Sequence, residues 1–513
     1  MDYLNSPDFA PRVEELMRKR CVPGLAVAVI EGERTFSAGY GLASVDPPRP
    51  CTADTIFDIA SSSKSLTAAS VGLLVRDDDK YPDVKYESTV SSLLPEDFVM
   101  SDPDYTKRVT VEDILSHRSG LPRHDDSYLG IRAARVDDAR SVTRNLRNLP
   151  VSAPIRSKYM YNNIMYTVAT YLVEKKSGQT FADFLQERIF GPLGMSSSHL
   201  QPERARSFGL GDRIAMGHEW DKKTESYTSF EALESPEAQG AGSIMTTVND
   251  YVKWVKALMN QEHPIDEEVY KGLVRNRMIV SPDVEDPEPL TSPLIYTAGM
   301  EIFYYRGYAV IGHDGGVPGF GSRYFFVPDF KFGGALFGNS GGAGDVATIL
   351  SRELIDAVLG VPASERPKWE EIHAESDVEY EQSPKQTELR RVLREETQPQ
   401  KMPLSAYTGE YWSPGYHGMI VTIKDDKLFV DATDRSMGYT LVFEHVRDQT
   451  EYITHLSEFF AGSDDLIPAR FMFHNDRAVK LGLELETQLD DFIWFDRVEE
   501  GGSTKTNSPD SSV

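Results

Sequence analysis

Ser61 and Lys64 stand three residues apart in the segment TIFDIASSSKSLTAA. On a helix that spacing puts both side chains on one face, within reach of each other. A serine hydroxyl is a weak nucleophile until a neighbouring base takes its proton. A lysine can serve as that base only where burial or nearby positive charge lowers its pKa, so the pair makes chemical sense in a partly desolvated site. A serine on the first helical turn also gains from the partial positive charge at the helix N-terminus, which steadies a developing oxyanion. Ser62 and Ser63 lack the three-residue spacing. Taken alone the motif is weak, because a solvated Ser and Lys at a helix start carry the same letters.

A second cluster, Tyr159-Met160-Tyr161-Asn162-Asn163, precedes a helical pattern. Tyr161 and Asn163 alternate on an extended or turn segment and can point together into a cleft. A tyrosine beside a lysine ammonium can shuttle a proton, and an asparagine can bind an amide or carbonyl. The plainer reading is an Asn-rich helix cap. A third cluster, Gly312-His313-Asp314-Gly315-Gly316-Val317-Pro318-Gly319-Phe320, follows the apolar strand YAVI. Glycines at a strand end let a ligand approach the backbone closely. The Gly316 N–H then becomes an oxyanion donor opposite the Ser61 N–H, and His313 supplies polarity or positive charge beside it. By itself this cluster reads more readily as a glycine-rich turn with a partly exposed histidine.

The elements that must position these groups follow from periodicity. Residues 25–30 (LAVAVI), bounded by Pro23-Gly24 and Gly32, form a short apolar run that predicts a buried strand. Helical spacing runs over residues 65–75, 166–175 and 345–359, and strands return in YRGYAVIGH, SRYFFVPDF and GGALFGNSGG. Strands at both ends of a helix-rich middle predict one sheet assembled from the two termini of residues 1–361, with a helical part inserted. Residues 362–402 are Glu-rich and Pro-punctuated, an acidic linker with one exposed helix around residues 387–396. From residue 403 to about 499 the period becomes two, as in Val421 and Ile423 or Leu481, Leu483 and Leu485, which indicates an antiparallel sandwich or small barrel. Residues 500–513 (EGGSTKTNSPDSSV) read as a disordered tail.

The three clusters in this order resemble the serine β-lactamase and penicillin-binding protein superfamily. Tyr161-Asn162-Asn163 and His313-Asp314-Gly315 look like the branch of class C β-lactamases, D-aminopeptidases and esterases, which includes the lovastatin-type acyltransferase. VPGLAVAVIEG, LSHRSGLP, FGPLGM, QGAGSIMTTVNDYVKW and GHDGGVPGFGS look like family segments in the expected order, so the resemblance spans roughly residues 10 to 360. It implies an α+β fold: an antiparallel sheet flanked by helices plus a helical subdomain. The region from YTGEYWS onward resembles the lipocalin-like barrel appended to many members. The resemblance further implies that Ser61 is acylated, that Lys64 activates it, and that Tyr161 is the second member of the proton relay. It implies that Asn163 holds the acyl amide or carbonyl and that His313 stands in the cationic position, beside Gly315. The Ser61 and Gly316 N–H groups would form the oxyanion hole. Two departures, Asp314 in the middle of the third motif and Met300-Glu301-Ile302-Phe303 without a tryptophan, argue against efficient β-lactam hydrolysis.

Composition trims the alternatives. With 54 Lys+Arg against 80 Asp+Glu, a net charge of −26 disfavours nucleic acid and anionic membranes as partners. Two cysteines, Cys21 and Cys51, make neither a disulfide framework nor a structural zinc site. No secretory leader and no apolar run of membrane-spanning length is visible, so a cytoplasmic location is expected. There is no H-E-x-x-H, P-loop or strand-borne G-x-G-x-x-G, and no cofactor or metal is expected. His124-Asp125-Asp126 reads as a solvated loop before a cation site, and His117 as a structural hydrogen-bonding residue. His218-Glu219-Trp220 and Tyr304-Tyr305 read as pocket lining or as ordinary surface and core aromatics.

The expected function is a serine hydrolase forming a Ser61 acyl-enzyme on an ester, thioester or amide of a small molecule or short peptide. The alternative is an acyltransferase or thioesterase of small-molecule biosynthesis that passes the acyl group to an alcohol or amine, using the same residues. A catalytically inactive binding or scaffold protein is the alternative of another class. A cyclisation-type chemistry independent of Ser61 would be a third.

Overall fold

Residues 25–30 lie inside a sheet covered on both faces, which is why they need apolar side chains at every position rather than at alternate ones. Leu25, Val27 and Val29 face a layer formed by the helices Phe9–Lys19 and Ala343–Val358. The intervening Ala26, Ala28 and Ile30 point to the opposite face, where the helix Val248–Asn260 packs. The computed structural model describes residues 1–282, 288–373, 383–460 and 464–499. The expected tail at 500–513 and the linker residues 374–382 lie outside the described residues.

The chain divides into two compact units, Met1–Asp125 with Leu129–Glu381, and Asp126–Tyr128 with Gln382–Val513. The first holds a nine-stranded sheet, antiparallel throughout. Its order from one edge is Arg49–Pro50, Arg34–Ser44, Gly24–Glu31, Phe332–Gly338, Phe320–Val327, Tyr308–Val317, Glu301–Tyr305, Ile295–Tyr296 and Met278–Ile279. Strands from the two ends of the unit pair as the third and fourth of the nine, with Leu25 opposite Gly338 and Glu31 opposite Phe332. The sheet expected from both termini is therefore present.

The helix-rich middle supplies the other wall. The helix Lys64–Arg76 is buried from Lys64 to Leu74 and packs against the helix Ile164–Ser177. A helix apolar all round belongs inside a protein. The polar exceptions on it are tied locally: the Ser70 hydroxyl donates to the Leu66 carbonyl and the Thr67 hydroxyl to that of Gly240. No helix among the described residues is long and apolar enough to cross a membrane.

The second unit contains a closed eight-stranded antiparallel barrel, running in chain order from Gly409–Ser413 to Ile493–Arg497. Aromatic rings fill its interior: Phe471 meets Phe443 and Tyr452 at centroid distances of 5.8 and 5.4 Å. The helix Pro384–Glu395 differs from the exposed one expected. Leu389, Val392 and Leu393, spaced three and four apart, pack against the barrel residues Val446, Ile453 and Leu466.

Candidate active site

The strand Phe57–Asp58 pairs with Ile244–Thr246 and then turns sharply at Ala60, which has a positive φ of 46°. A left-handed conformation at a residue with a Cβ costs on the order of 1 kcal/mol and persists only where its surroundings hold it. Asp58 does so: its carboxylate accepts from the Ala60 N–H at 2.8 Å. Burial pushes that carboxyl up to about 6 despite the N–H. The turn opens a short 3-10 segment, Ala60–Ser63, continuous with the helix Lys64–Arg76. Ser61 is thus presented at the head of a helix, half-buried, while Ser62 and Ser63 point inward. Ser62 Oγ lies 2.9 Å from Ser322 Oγ, and Ser63 Oγ accepts from the Ile244 N–H, so both neighbours serve as structural ties.

Lys64 is fully buried, and its Nζ lies 2.9 Å from Ser61 Oγ, 2.9 Å from Asn163 Oδ1 and 2.8 Å from the Ala241 carbonyl. Burial pushes its pKa well below the ordinary lysine value; Asp125 opposes that shift and Arg123 adds to it. A neutral amine has two hydrogens and one lone pair. The Asn163 and Ala241 oxygens can only accept, so they take the hydrogens, and the lone pair faces the serine proton. Tyr161 completes the serine's surroundings by donating its hydroxyl to Ser61 Oγ at 2.8 Å. Burial, foremost, raises the Tyr161 pKa, so the phenol keeps its proton in the resting site.

The Y-x-N segment is held in place by Asn162 and His117. The cap is made by Asn162, whose Oδ1 accepts from the Met165 N–H at 2.9 Å, so Asn163 is free of that duty. His117 holds the same segment: its carbonyl accepts from the Met160 N–H and its Nδ1 from the Asn162 N–H, at 2.7 and 3.0 Å. Its ring lies 4.3 Å from that of Tyr161. The structural role expected of His117 is what the geometry displays.

The third motif is not a strand end. The strand Tyr308–Val317 runs through it, pairing His313 with Tyr324, Asp314 with Arg323, Gly315 with Ser322 and Gly316 with Gly321. The glycines and Asp314 disguise this continuation because such residues are poor strand formers. Gly315 sits where the strand meets the nucleophile turn. A Cβ there would lie 2.3 Å from the Ile59 carbonyl oxygen, 2.4 Å from Ser322 Oγ and 3.0 Å from the Ser61 nitrogen. Beside Gly316 the space is open. Gly315→Ala must therefore displace the strand from Ser61. We expect labelling of Ser61 by a fluorophosphonate to slow about 100-fold, the usual cost of an ångström-scale misplacement; stopped-time mass spectrometry on the folded variant checks it.

His313 is buried, and its Nδ1 lies 2.5 Å from the Asp314 carbonyl, which can only accept. Nδ1 therefore carries the proton, and Nε2 accepts from the Tyr296 hydroxyl at 2.9 Å. Burial, reinforced by Lys64, pushes the His313 pKa down to about 4. The ring is neutral at neutral pH, so the positive charge anticipated there is absent. Asp314 is instead bound by Arg323, whose Nη1 lies 2.6 and 2.7 Å from its two oxygens.

The candidate residues Ser61, Lys64, Tyr161, Asn163, His313, Gly315 and Gly316 all belong to the first unit. Two others join the site in a way the sequence does not indicate: nothing there singles out Arg123, and Asp125 reads as part of a solvated loop. Asp125 accepts from Asn163 Nδ2 at 3.1 Å and from Arg123 Nε at 2.8 Å, and the Arg123 guanidinium carbon lies 5.2 Å from the Tyr161 ring centroid. The loop read as solvated is partly buried: His124 is inside, its Nε2 bonded to the Pro150 carbonyl. Among the described residues no group of three or more His, Cys, Asp and Glu side chains could hold a metal ion. His218 is buried, with Nδ1 against the Asn339 carbonyl, and Tyr305 is core, bonded to Asp356, while Tyr304 is exposed.

Comparison with known proteins places the fold in a family. A family model described as Beta-lactamase matches residues 9–359, and one described as a domain of unknown function (DUF3471) matches residues 393–497. The chain is 32% identical to the unguisins hydrolase ungD of Aspergillus violaceofuscus, an alignment covering 96% of this chain and 90% of that protein. It is 25% identical to a D-aminopeptidase of Brucella anthropi, over 67% of this chain and 61% of that one. The octameric penicillin-binding protein homologue from Pyrococcus abyssi shares the fold, with 18% identity and a TM-score of 0.59 over 95% of this chain and 99% of the other.

Proposed function

The chain belongs to the β-lactamase family, and from that membership we propose that it is a serine hydrolase opening an amide bond of a small peptide-like molecule through an acyl-enzyme on Ser61. The observation that carries the proposal is the double contact at Ser61 Oγ, with a buried Lys64 amine on one side and the Tyr161 hydroxyl on the other. Hydrolysis is favoured by the name of a relative aligned over nearly the whole chain, an unguisins hydrolase, and the amide over the ester by that of a D-aminopeptidase.

In this reading Ser61 Oγ attacks the carbonyl carbon as its proton passes to Lys64 Nζ. The oxyanion is held by the N–H groups of Ser61 and Gly316. Collapse breaks the C–N bond, and Tyr161 delivers a proton to the departing nitrogen while recovering one from Lys64. Water then attacks the acyl-enzyme, its proton passing into the same relay; the ester bond breaks, and Ser61 Oγ regains a hydrogen. Asn163 keeps Lys64 oriented throughout. The free thiols of Cys21 and Cys51 are in keeping with a reducing, cytoplasmic setting.

The test is incubation with unguisins, with peptide p-nitroanilides carrying L or D residues, and with p-nitrophenyl esters, in 18O-labelled water. Cleavage of an amide with label in the new carboxylate, and a transient adduct on Ser61, is the expected result. Turnover of esters alone would overturn the amide assignment. Transfer to an added alcohol or amine outrunning hydrolysis would replace hydrolase by acyltransferase. No turnover and no adduct from folded protein would remove the enzyme reading.

A further inference from the structure

Six side chains around the nucleophile close a circuit of contacts. Tyr161 donates to Ser61, Ser61 meets Lys64, Lys64 meets Asn163, Asn163 donates to Asp125, and Asp125 accepts from Arg123, whose guanidinium returns to the face of the Tyr161 ring. Four of these have roles in the proposed acylation. Arg123 and Asp125 do not touch the reacting atoms, yet they are the two charged members of the circuit. A full charge on either side of a buried proton relay is a strong influence, because the surroundings screen it poorly.

We propose that the Arg123–Asp125 pair consists of two opposed positioning charges that set the pH at which the Ser61–Lys64–Tyr161 relay becomes active. This rests on the acyl-enzyme reading above. The geometry gives each charge a separate path: Asp125 acts through Asn163 on the Lys64 side, and Arg123 acts across the Tyr161 ring. The signs are opposite at both relay members. Behind the dominant effect of burial, Arg123 lowers and Asp125 raises the pKa of Lys64, and the same holds for Tyr161. A cation disfavours lysinium and favours phenolate; an anion does the reverse.

The other groups facing the relay leave this balance intact. His117 and His313 are buried and neutral, and Tyr159, Tyr166 and Tyr296 are pushed up by burial and stay protonated. Glu301 is the exception. Burial raises it to about 7, and it acts on Tyr161, so its titration overlaps the range of interest. The Glu301→Gln background removes that overlap.

The experiment follows the rate of Ser61 modification by a fluorophosphonate against pH, in Glu301→Gln and in four variants built on it. Arg123→Gln should move the half-maximal pH upward, and Asp125→Asn should move it downward, each by about 0.5–1 unit for a single, partly exposed charge. The double variant should return near the background value, and Arg123→Lys should restore it. Shifts in one common direction, or rates that fall without any shift, would overturn the proposal and leave the pair a structural clasp. Failure of the unsubstituted protein to react at any pH would instead overturn the acyl-enzyme reading.

Discussion

Ser61→Ala should lose turnover by about four orders of magnitude or more, while the neighbouring Ser62→Ala retains a reactive nucleophile. The contrast follows from what each hydroxyl touches. Ser61 Oγ has the Lys64 amine at 2.9 Å and the Tyr161 hydroxyl at 2.8 Å, so on the proposed mechanism its removal takes away the group to be acylated and leaves both proton carriers with nothing to serve. Ser62 Oγ is buried against Ser322 Oγ and the His313 carbonyl, joining the nucleophile turn to the motif strand. Losing that tie leaves Ser322 one partner short, a stability cost of about 1–3 kcal/mol, without touching the reacting atoms. Intact mass after exposure to a fluorophosphonate separates the two: one adduct on the parent and on Ser62→Ala, none on Ser61→Ala. An adduct on Ser61→Ala would transfer the nucleophile elsewhere.

Lys64→Met should lower the acylation rate by about 10²- to 10⁴-fold, the usual contribution of a general base. Lys64→Arg should be no better. An arginine keeps its positive charge at every accessible pH, so it offers Ser61 no lone pair, although it could donate to Asn163 and Ala241. The parent should also lose activity as the pH falls through the depressed pKa of Lys64, because only the neutral amine accepts the serine proton. That acid limb should vanish in Lys64→Met, whose residual rate depends on other groups. Rates from pH 4 to 10 on the three proteins check both statements. An arginine variant that works as well as the parent would mean that Lys64 acts through its charge alone.

The strand at residues 25–30 was legible because burial on both faces demands an unbroken apolar run, and that run has no other use in the chain. The helix carrying Lys64 was legible to within a residue at either end, since its periodic face and the Ser-x-x-Lys spacing agree. Asn163 and Asn162 illustrate the limit. Both were candidates for the cap, and only the fold assigns it to Asn162 and frees Asn163 for Lys64. The neutral charge of His313 was likewise hidden, because it depends on Tyr296 and on burial rather than on residue type. The second acceptor of Lys64 is a backbone carbonyl, Ala241, and a backbone atom leaves no signature in the letters. Asp125 could have been found only by a rule linking it to Asn163, 38 positions later in the chain.

The pairing of Gly24–Glu31 with Phe332–Gly338 also has a meaning in time. These partners are roughly 300 residues apart, and contacts of such separation are slow to form. At a synthesis rate of roughly 5–20 residues per second, the first strand waits about 15–60 s on the ribosome for its mate. During that interval an all-apolar strand has no sheet on that side, and the Ser61 turn has no Gly315 to rest against. A nascent chain that stops before Gly315 therefore presents the Ser61 turn without the strand that abuts it. Until Phe332–Gly338 emerges, the apolar strand Gly24–Glu31 lacks its mate and leaves exposed the kind of surface that aggregates.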